Sequence, residues 1–204
     1  MKRLLLIFVL SGSMTWLSAQ TTVTIGGGTA DAQRQPFGMW ASYERSAAIY
    51  KKLEINGSYG MVVSLGWYVE TSDPILCPTK IYLKTLTATT LSASTWATMI
   101  SGATLVYDKY TSFSTTGWMT LDIADFAYST GNLVVMCETN YGGAVGAPSY
   151  PTFRYNILAN GHQYWQEYDS PPTGQGTLNS NRPAIQVTYN PLGTVIAPSG
   201  FMAS

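Results

Sequence analysis

Apolar and polar positions alternate with a period of two through much of the chain. Residues 21–25 (TTVTI) set Val23 and Ile25 against Thr22 and Thr24. Residues 61–69 (MVVSLGWYV) form a longer run, and 80–85 (KIYLKT) put Ile81 and Leu83 on one side with Tyr82 and Lys84 on the other. Residues 104–110, 118–123, 133–138 and 184–189 continue the series. Successive side chains of a strand point to opposite faces, so this pattern builds half-buried strands. The runs are rich in β-branched and aromatic residues, which pack well on a pleated surface. Turn formers separate them: Asn56-Gly57, Ser72-Asp73-Pro74, Thr116-Gly117, Thr130-Gly131-Asn132, Pro171-Pro172 and Asn190-Pro191. The best helical segment is 92–100 (SASTWATMI), where Trp96 and Ile100 stand four apart and a short turn of helix fits. Many short strands with frequent turns predict an all-β fold. At 204 residues the chain is too long for a seven-strand immunoglobulin unit of about 100 residues. The expected fold is a jelly-roll-like antiparallel β-sandwich over residues 20–190.

Composition changes the picture in two ways. Charged residues are 11% of the chain, against about 25% in an average soluble protein, which excludes coiled coils and charged disordered tails. The formal net charge is zero, and no cluster of Lys and Arg offers a surface to a nucleic acid backbone. Lys2-Arg3, the apolar run 4–10 (LLLIFVL) and Leu17-Ser18-Ala19 form a secretory leader, with cleavage expected after Ala19. Ser11, Gly12, Ser13 and Thr15 interrupt that run, so it is too short for a membrane anchor. No later segment is long and apolar enough to span a bilayer, and the mature protein is expected to be secreted or held at the cell surface.

Export gives the two cysteines a meaning. Cys77 and Cys137 in an oxidising compartment suggest a disulfide. It would close a loop of about 60 residues, worth roughly 4 kcal/mol by chain entropy. The alternative is a pair of buried free thiols acting as small hydrophobes. Without a Cys-x-x-Cys pair and with His162 as the single histidine, a zinc site is not expected.

Candidate chemistry is sparse. A catalytic triad would have to use His162, which stands beside turn residues, and there is no Gly-x-Ser-x-Gly elbow. Paired carboxylates could serve a glycosidase, with Glu70 and Glu138 at strand ends and Glu167 and Asp169 beside aromatic residues as the pairs to consider. Asp122, Asp125 and Asp73 could contribute to a calcium site, but turn-forming Asp explains them as well; no cofactor is expected. Gly26-Gly27-Gly28 lacks the Lys-Ser/Thr of a phosphate loop and reads as a flexible link. The most informative feature is a set of aromatic residues in loop-like surroundings. Trp40 and Tyr43 follow Pro36-Phe37-Gly38, Tyr150 lies in a Gly/Pro-rich segment, and Tyr164, Trp165 and Tyr168 cluster around Gln163, Gln166 and Glu167. Exposed rings beside amides and acids can stack on sugar faces or form the centre of a protein contact. The other expectation is that they fill the ends of the sandwich.

Several short landmarks follow one another in a distinctive order. They are Thr22-Val23-Thr24-Ile25-Gly26, the run 46–50 (SAAIY), Ile81-Tyr82-Leu83, Leu105-Val106-Tyr107 and Gly117-Trp118-Met119-Thr120-Leu121. Asp125-Phe126-x-Tyr128, Gly131-Asn132-Leu133-Val134-Val135 and Asn181-Arg182-Pro183-x-Ile185-Gln186 complete the set. This order resembles a β-sandwich module repeated in large secreted proteins of Bacteroidota, adhesin-like surface proteins exported by the type IX system. The two cysteines depart from that pattern, and the resemblance carries no catalytic residue. It implies a non-catalytic binding or spacer module with a glycan or an extracellular protein as partner. The alternative function is an exported glycoside hydrolase or a fragment of one. Pro198-Ser199-Gly200-Phe201-Met202-Ala203 resembles the opening of a fibronectin type III repeat. The expectation over 191–204 is a linker or the start of such a domain.

Overall fold

The computed structural model describes residues 20–29, 31–56 and 59–191. The expected leader, and everything expected after Pro191, lie outside them. Eleven strands are formed among the described residues: β1 (Thr21–Ile25), β2 (Ala32–Gln33), β3 (Tyr43–Tyr50), β4 (Gly60–Thr71), β5 (Asp73–Leu86), β6 (Thr104–Phe113), β7 (Gly117–Tyr128), β8 (Asn132–Asn140), β9 (Thr152–Glu167), β10 (Thr177–Pro183) and β11 (Ile185–Pro191). One turn of α-helix, α1 (Trp96–Ile100), sits inside the segment anticipated for it, capped by the Thr95 side chain, and a 3-10 turn covers Lys52–Ile55. No helix among the described residues is long and apolar enough to cross a membrane.

The strands form two antiparallel layers. One runs β1-β11-β4-β7 and the other β6-β5-β8-β3-β9-β10. With β2, β9 and β10 set aside, the remaining eight strands, counted in chain order, lie first-eighth-third-sixth in one layer and fifth-fourth-seventh-second in the other. That is the jelly-roll order. Strand β9 belongs to both layers. Its first residues pair with β4 and β2, and from Tyr155 onward it pairs with β10 and then β3. Asn160, at φ 51°, lies within it.

The main core fills the space between the layers. Val23, Val62, Trp67 and Val187 come from one layer, and Ala48, Tyr50, Ile81 and Val135 from the other. The loop before β3 supplies a plug. The Phe37 ring lies 4.7 Å from Trp67, 4.7 Å from Phe113 and 5.6 Å from Phe153, centroid to centroid. A second core covers the outer face of the β3–β8 layer. There the segment between β5 and β6 brings Leu91, Trp96 and Met99 down onto Ala47, Ile49, Val134, Met136 and Trp165. Burial on both faces explains why β3 is buried almost throughout instead of alternating.

The structure corrects the expected aromatic loops. Tyr43 opens β3, and Tyr164, Trp165 and Glu167 lie in the last turn-free stretch of β9. Asn160-Gly161, the turn formers beside His162, fall inside β9. Buried charge in β3 is matched locally: Arg45, 3% exposed, lies 3.4 Å from Glu138 on the neighbouring strand. Arg182, on β10, is fully buried and pairs in two hydrogen bonds of 2.7 Å with Glu54.

The expected disulfide is absent, and the strand register gives the reason. Both thiols are free and buried. Cys137 stands opposite Ile81, while Cys77 lies four residues earlier on β5. At roughly 3.3 Å per residue their separation along the strand is about 13 Å, about twice the Cα distance a disulfide spans. Burial pushes the Cys77 thiol up to about 12 and the Cys137 thiol well above its ordinary range. A thiol reagent at pH 8 should therefore leave the native protein unmodified and react with both cysteines once denaturant is added. Rapid labelling of either in the native state would contradict this packing.

Candidate functional site

Two loops and the end of β9 meet at one end of the sandwich. The loop before β3 carries Trp40, which is 43% exposed. Its ring meets Tyr168 edge-on at 5.6 Å, and the Arg34 guanidinium lies 4.9 Å from its centroid. The β8–β9 loop buttresses this element from behind. Ala147 N donates to Met39 O at 2.8 Å, and Gly142 N donates to Ser42 O at 2.9 Å. Gly146 approaches the Trp40 carbonyl so closely that a Cβ there would collide with the backbone.

Beside this ring pair is a polar depression of about 260 Å³, lined by Tyr164, Trp165, Gln166, Glu167, Pro172, Gly174, Gln175 and Thr177. Its origin is a mismatch of strand lengths. Strand β10 starts at Thr177 opposite Tyr164, whereas β9 continues to Glu167. The overhanging edge of β9 is bordered by the loop through Pro172–Gln175 rather than by a strand.

Arg34 links the ring pair to the depression. Its Nη2 donates to Gln166 Oε1, and its Nε donates to Glu44 Oε2 at 3.1 Å. Glu44 is 2% exposed, and its Oε1 accepts from Ala41 N at 3.0 Å. Burial raises the Glu44 carboxyl above the ordinary range, against the lowering pull of Arg34. The partly exposed arginine and the buried acid thus form one unit that ties the loop to β3 and β9.

The sequence-selected residues separate into two groups. Trp40, Tyr164, Glu167 and Tyr168 converge here. Tyr43 lies half-buried opposite Glu167 in the β3–β9 register. Trp165 borders the depression but is only 3% exposed. Its Nε1 donates to Ser94 O at 3.0 Å, and its ring packs edge-on to Trp96 at 5.3 Å. It is a core residue of the second cluster and offers no ring face for stacking. Tyr150 is half-buried just before β9, and among the described residues no ring contact joins it to Trp40 or Tyr168. Arg34, Gln175 and Thr177 are additions that the sequence did not single out. Their only sequence signal is proximity to Gln35-Pro36 and to the Pro171-Pro172 turn.

Of the remaining candidates, His162, Glu70, Glu138 and Asp73 have structural partners, and Asp122, Asp125 and Asp169 are exposed. His162 is fully buried, and its Nε2 lies 3.0 Å from Ser46 Oγ. Burial brings its pKa down to about 3. Glu70 is paired with Arg154 at 2.6 Å, and Glu138 with Arg45. Asp73 accepts from Ile75 N at 2.8 Å, a turn-forming role. Among the described residues no three His, Cys, Asp or Glu side chains gather to hold a metal ion.

The class defined by these features is an antiparallel jelly-roll sandwich with a ring-flanked polar depression at one end. No protein-family model, no curated protein and no solved structure matches the chain.

Proposed function

We propose that the protein is an exported, non-catalytic binding module of an adhesin-like surface protein, and that it recognises a glycan or an extracellular protein at the end of β9. The observation that carries this reading is the contiguity of an aromatic pair, the exposed Trp40 and the half-buried Tyr168, with a polar depression through the single side chain of Arg34. Ring faces supply apolar area, and a few fixed amides and acids supply orientation, the combination expected of a recognition site. One of the two carboxylate pairs considered for hydrolysis supports binding over cleavage. Glu70 and Glu138 are each engaged by an arginine and lie on different layers.

The test is a glycan array and a surface-protein panel probed with the wild type and with Trp40→Ala. The reading predicts a retained ligand whose signal falls at least tenfold in the variant while the thermal transition holds. A wild type that retains nothing on either panel would leave a spacer.

A further inference from the structure

A strand at the edge of a layer offers a row of unpaired N–H and C=O groups to any other strand. Among the described residues β1, β6, β7 and β10 each pair with one neighbour only. Three of these edges are guarded. β1 is five residues long. β6 shifts register opposite Ile81 and Tyr82, and it carries Lys109 opposite the buried Thr79, on the face turned toward the core. β10 shifts register between Asn179 and Asn181 and ends in Pro183. Short length, bulges, inward charges and proline are the devices that keep edges from pairing. β7 has none of them in its first half. It runs for 12 residues without Lys, Arg or Pro, and its register against β4 is unbroken from Gly117 to Asp122. Its inner side chains are also incompletely covered. Val62, Leu65 and Val187 on β4 and β11 are fully buried, whereas Leu121 and Ile123 on β7 are 7% and 9% exposed and Met119 is half-buried. Beside them a slot between β7 and β6 is lined by Ile123, Val106 and Tyr107.

A second copy of the chain fits this edge through a two-fold axis at Thr120. Antiparallel pairing about that axis sets Thr120 opposite its own copy, Met119 opposite Leu121, and Trp118 opposite Asp122. Inner residues then meet inner ones, and the exposed Thr120 and Asp122 stay on the outer face. Every pair from Trp118 to Asp122 falls within the unbroken stretch on both copies. No charge meets a like charge, and threonine opposite threonine is a favourable cross-strand pair. A register centred on Asp122 would instead bring two carboxylates face to face. The chain has no net charge to oppose association. We propose that β7 pairs with β7 of a second copy, so that one layer continues through the dimer as β1-β11-β4-β7-β7-β4-β11-β1. The contact consists of main-chain hydrogen bonds and a few apolar side chains. It is small beside the interfaces of permanent dimers, so the dimer is reversible and isologous.

The test is sedimentation equilibrium of the purified chain from about 1 μM to about 1 mM. Wild type should show a monomer–dimer equilibrium within that range. Thr120 is exposed and stands opposite Gly66 on β4, so its substitution leaves the fold in place. Thr120→Lys and Thr120→Asp should each weaken the dimer roughly tenfold or more by setting like charges opposite at the axis, with the melting transition of the dilute protein unchanged. An equimolar mixture of the two variants should recover dimer at low salt, because Lys then faces Asp, and lose that gain at high salt. A merely structural Thr120 would give no recovery on mixing. Wild type that stays monomeric throughout, or that grows beyond a dimer, would overturn the proposal. So would a Thr120→Lys variant that dimerises as tightly as wild type, or a mixture no better than its components.

Discussion

Phe37→Ala is expected to lower the unfolding free energy by about 3–5 kcal/mol, the range for truncating a buried phenylalanine. The side chain is 1% exposed and touches three aromatic rings drawn from three different strands, β4, β6 and β9. Its removal leaves a cavity between two layers that cannot close onto it, because each layer is held by its own hydrogen-bond ladder. The loss has a local consequence too. Phe37 anchors the loop that carries Arg34 and Trp40, so the loop should loosen before the sandwich unfolds. Chemical denaturation followed by circular dichroism gives the first quantity, and the exposure of Trp40 to a fluorescence quencher gives the second. A change below about 1 kcal/mol would mean that Phe37 does not fill the core.

Acid should destabilise the protein through His162. Its pKa lies at about 3 in the fold, from an ordinary value of 6.5, because burial disfavours the imidazolium. Between those values the unfolded chain binds a proton that the folded one does not. Stability is therefore complete above about pH 6.5 and falls as the pH drops toward 3, by about 1.4 kcal/mol per pH unit for this group. Glu44 acts in the opposite sense. Its raised carboxyl makes the charged form costly at neutral pH, and that cost fades as the pH falls through its raised value. The two are separated by His162→Gln, which offers an amide near the Ser46 hydroxyl and does not titrate. Unfolding free energies measured between pH 7 and pH 4 should converge for the variant and the wild type as the pH falls. Parallel curves would show that the imidazole is not buried neutral.

Strands that face water on one side are legible in the sequence, and so is the doubly buried β8, whose apolar run 133–138 marks it; the doubly buried β3 is not. β1 alternates because Thr22 and Thr24 are exposed while Val23 and Ile25 are covered. β3, with the sequence YERSAAIY, has no such contrast. Its outer residues meet the second core, and its charges are hidden by Glu138, Arg34 and the loop backbone. β9 was obscured by Asn160-Gly161 and by its polar residues, which read as a loop until the switch between layers is known. The spacing around Trp96 indicates a short helix, but its role as a lid over Trp165 depends on the fold. The same holds for the candidate site. Trp40 and Tyr168 could be picked out as aromatic residues among turn formers. Arg34 could not, because Glu44 and Gln166 stand ten and 132 residues away in sequence. A charge composition of 11% also gave no sign that Arg45, Arg182 and Glu44 would be buried.

The most direct test of the account is a titration of the isotopically labelled protein with a ligand retained on the glycan array or the surface-protein panel, followed by nuclear magnetic resonance of its amide and indole groups. The account predicts that the Trp40 indole NH and the backbone amides of Gln166, Glu167, Gln175 and Thr177 shift most, while the outer face of the β1-β11-β4-β7 layer stays unperturbed. An unchanged spectrum, or shifts confined to that layer, would contradict it.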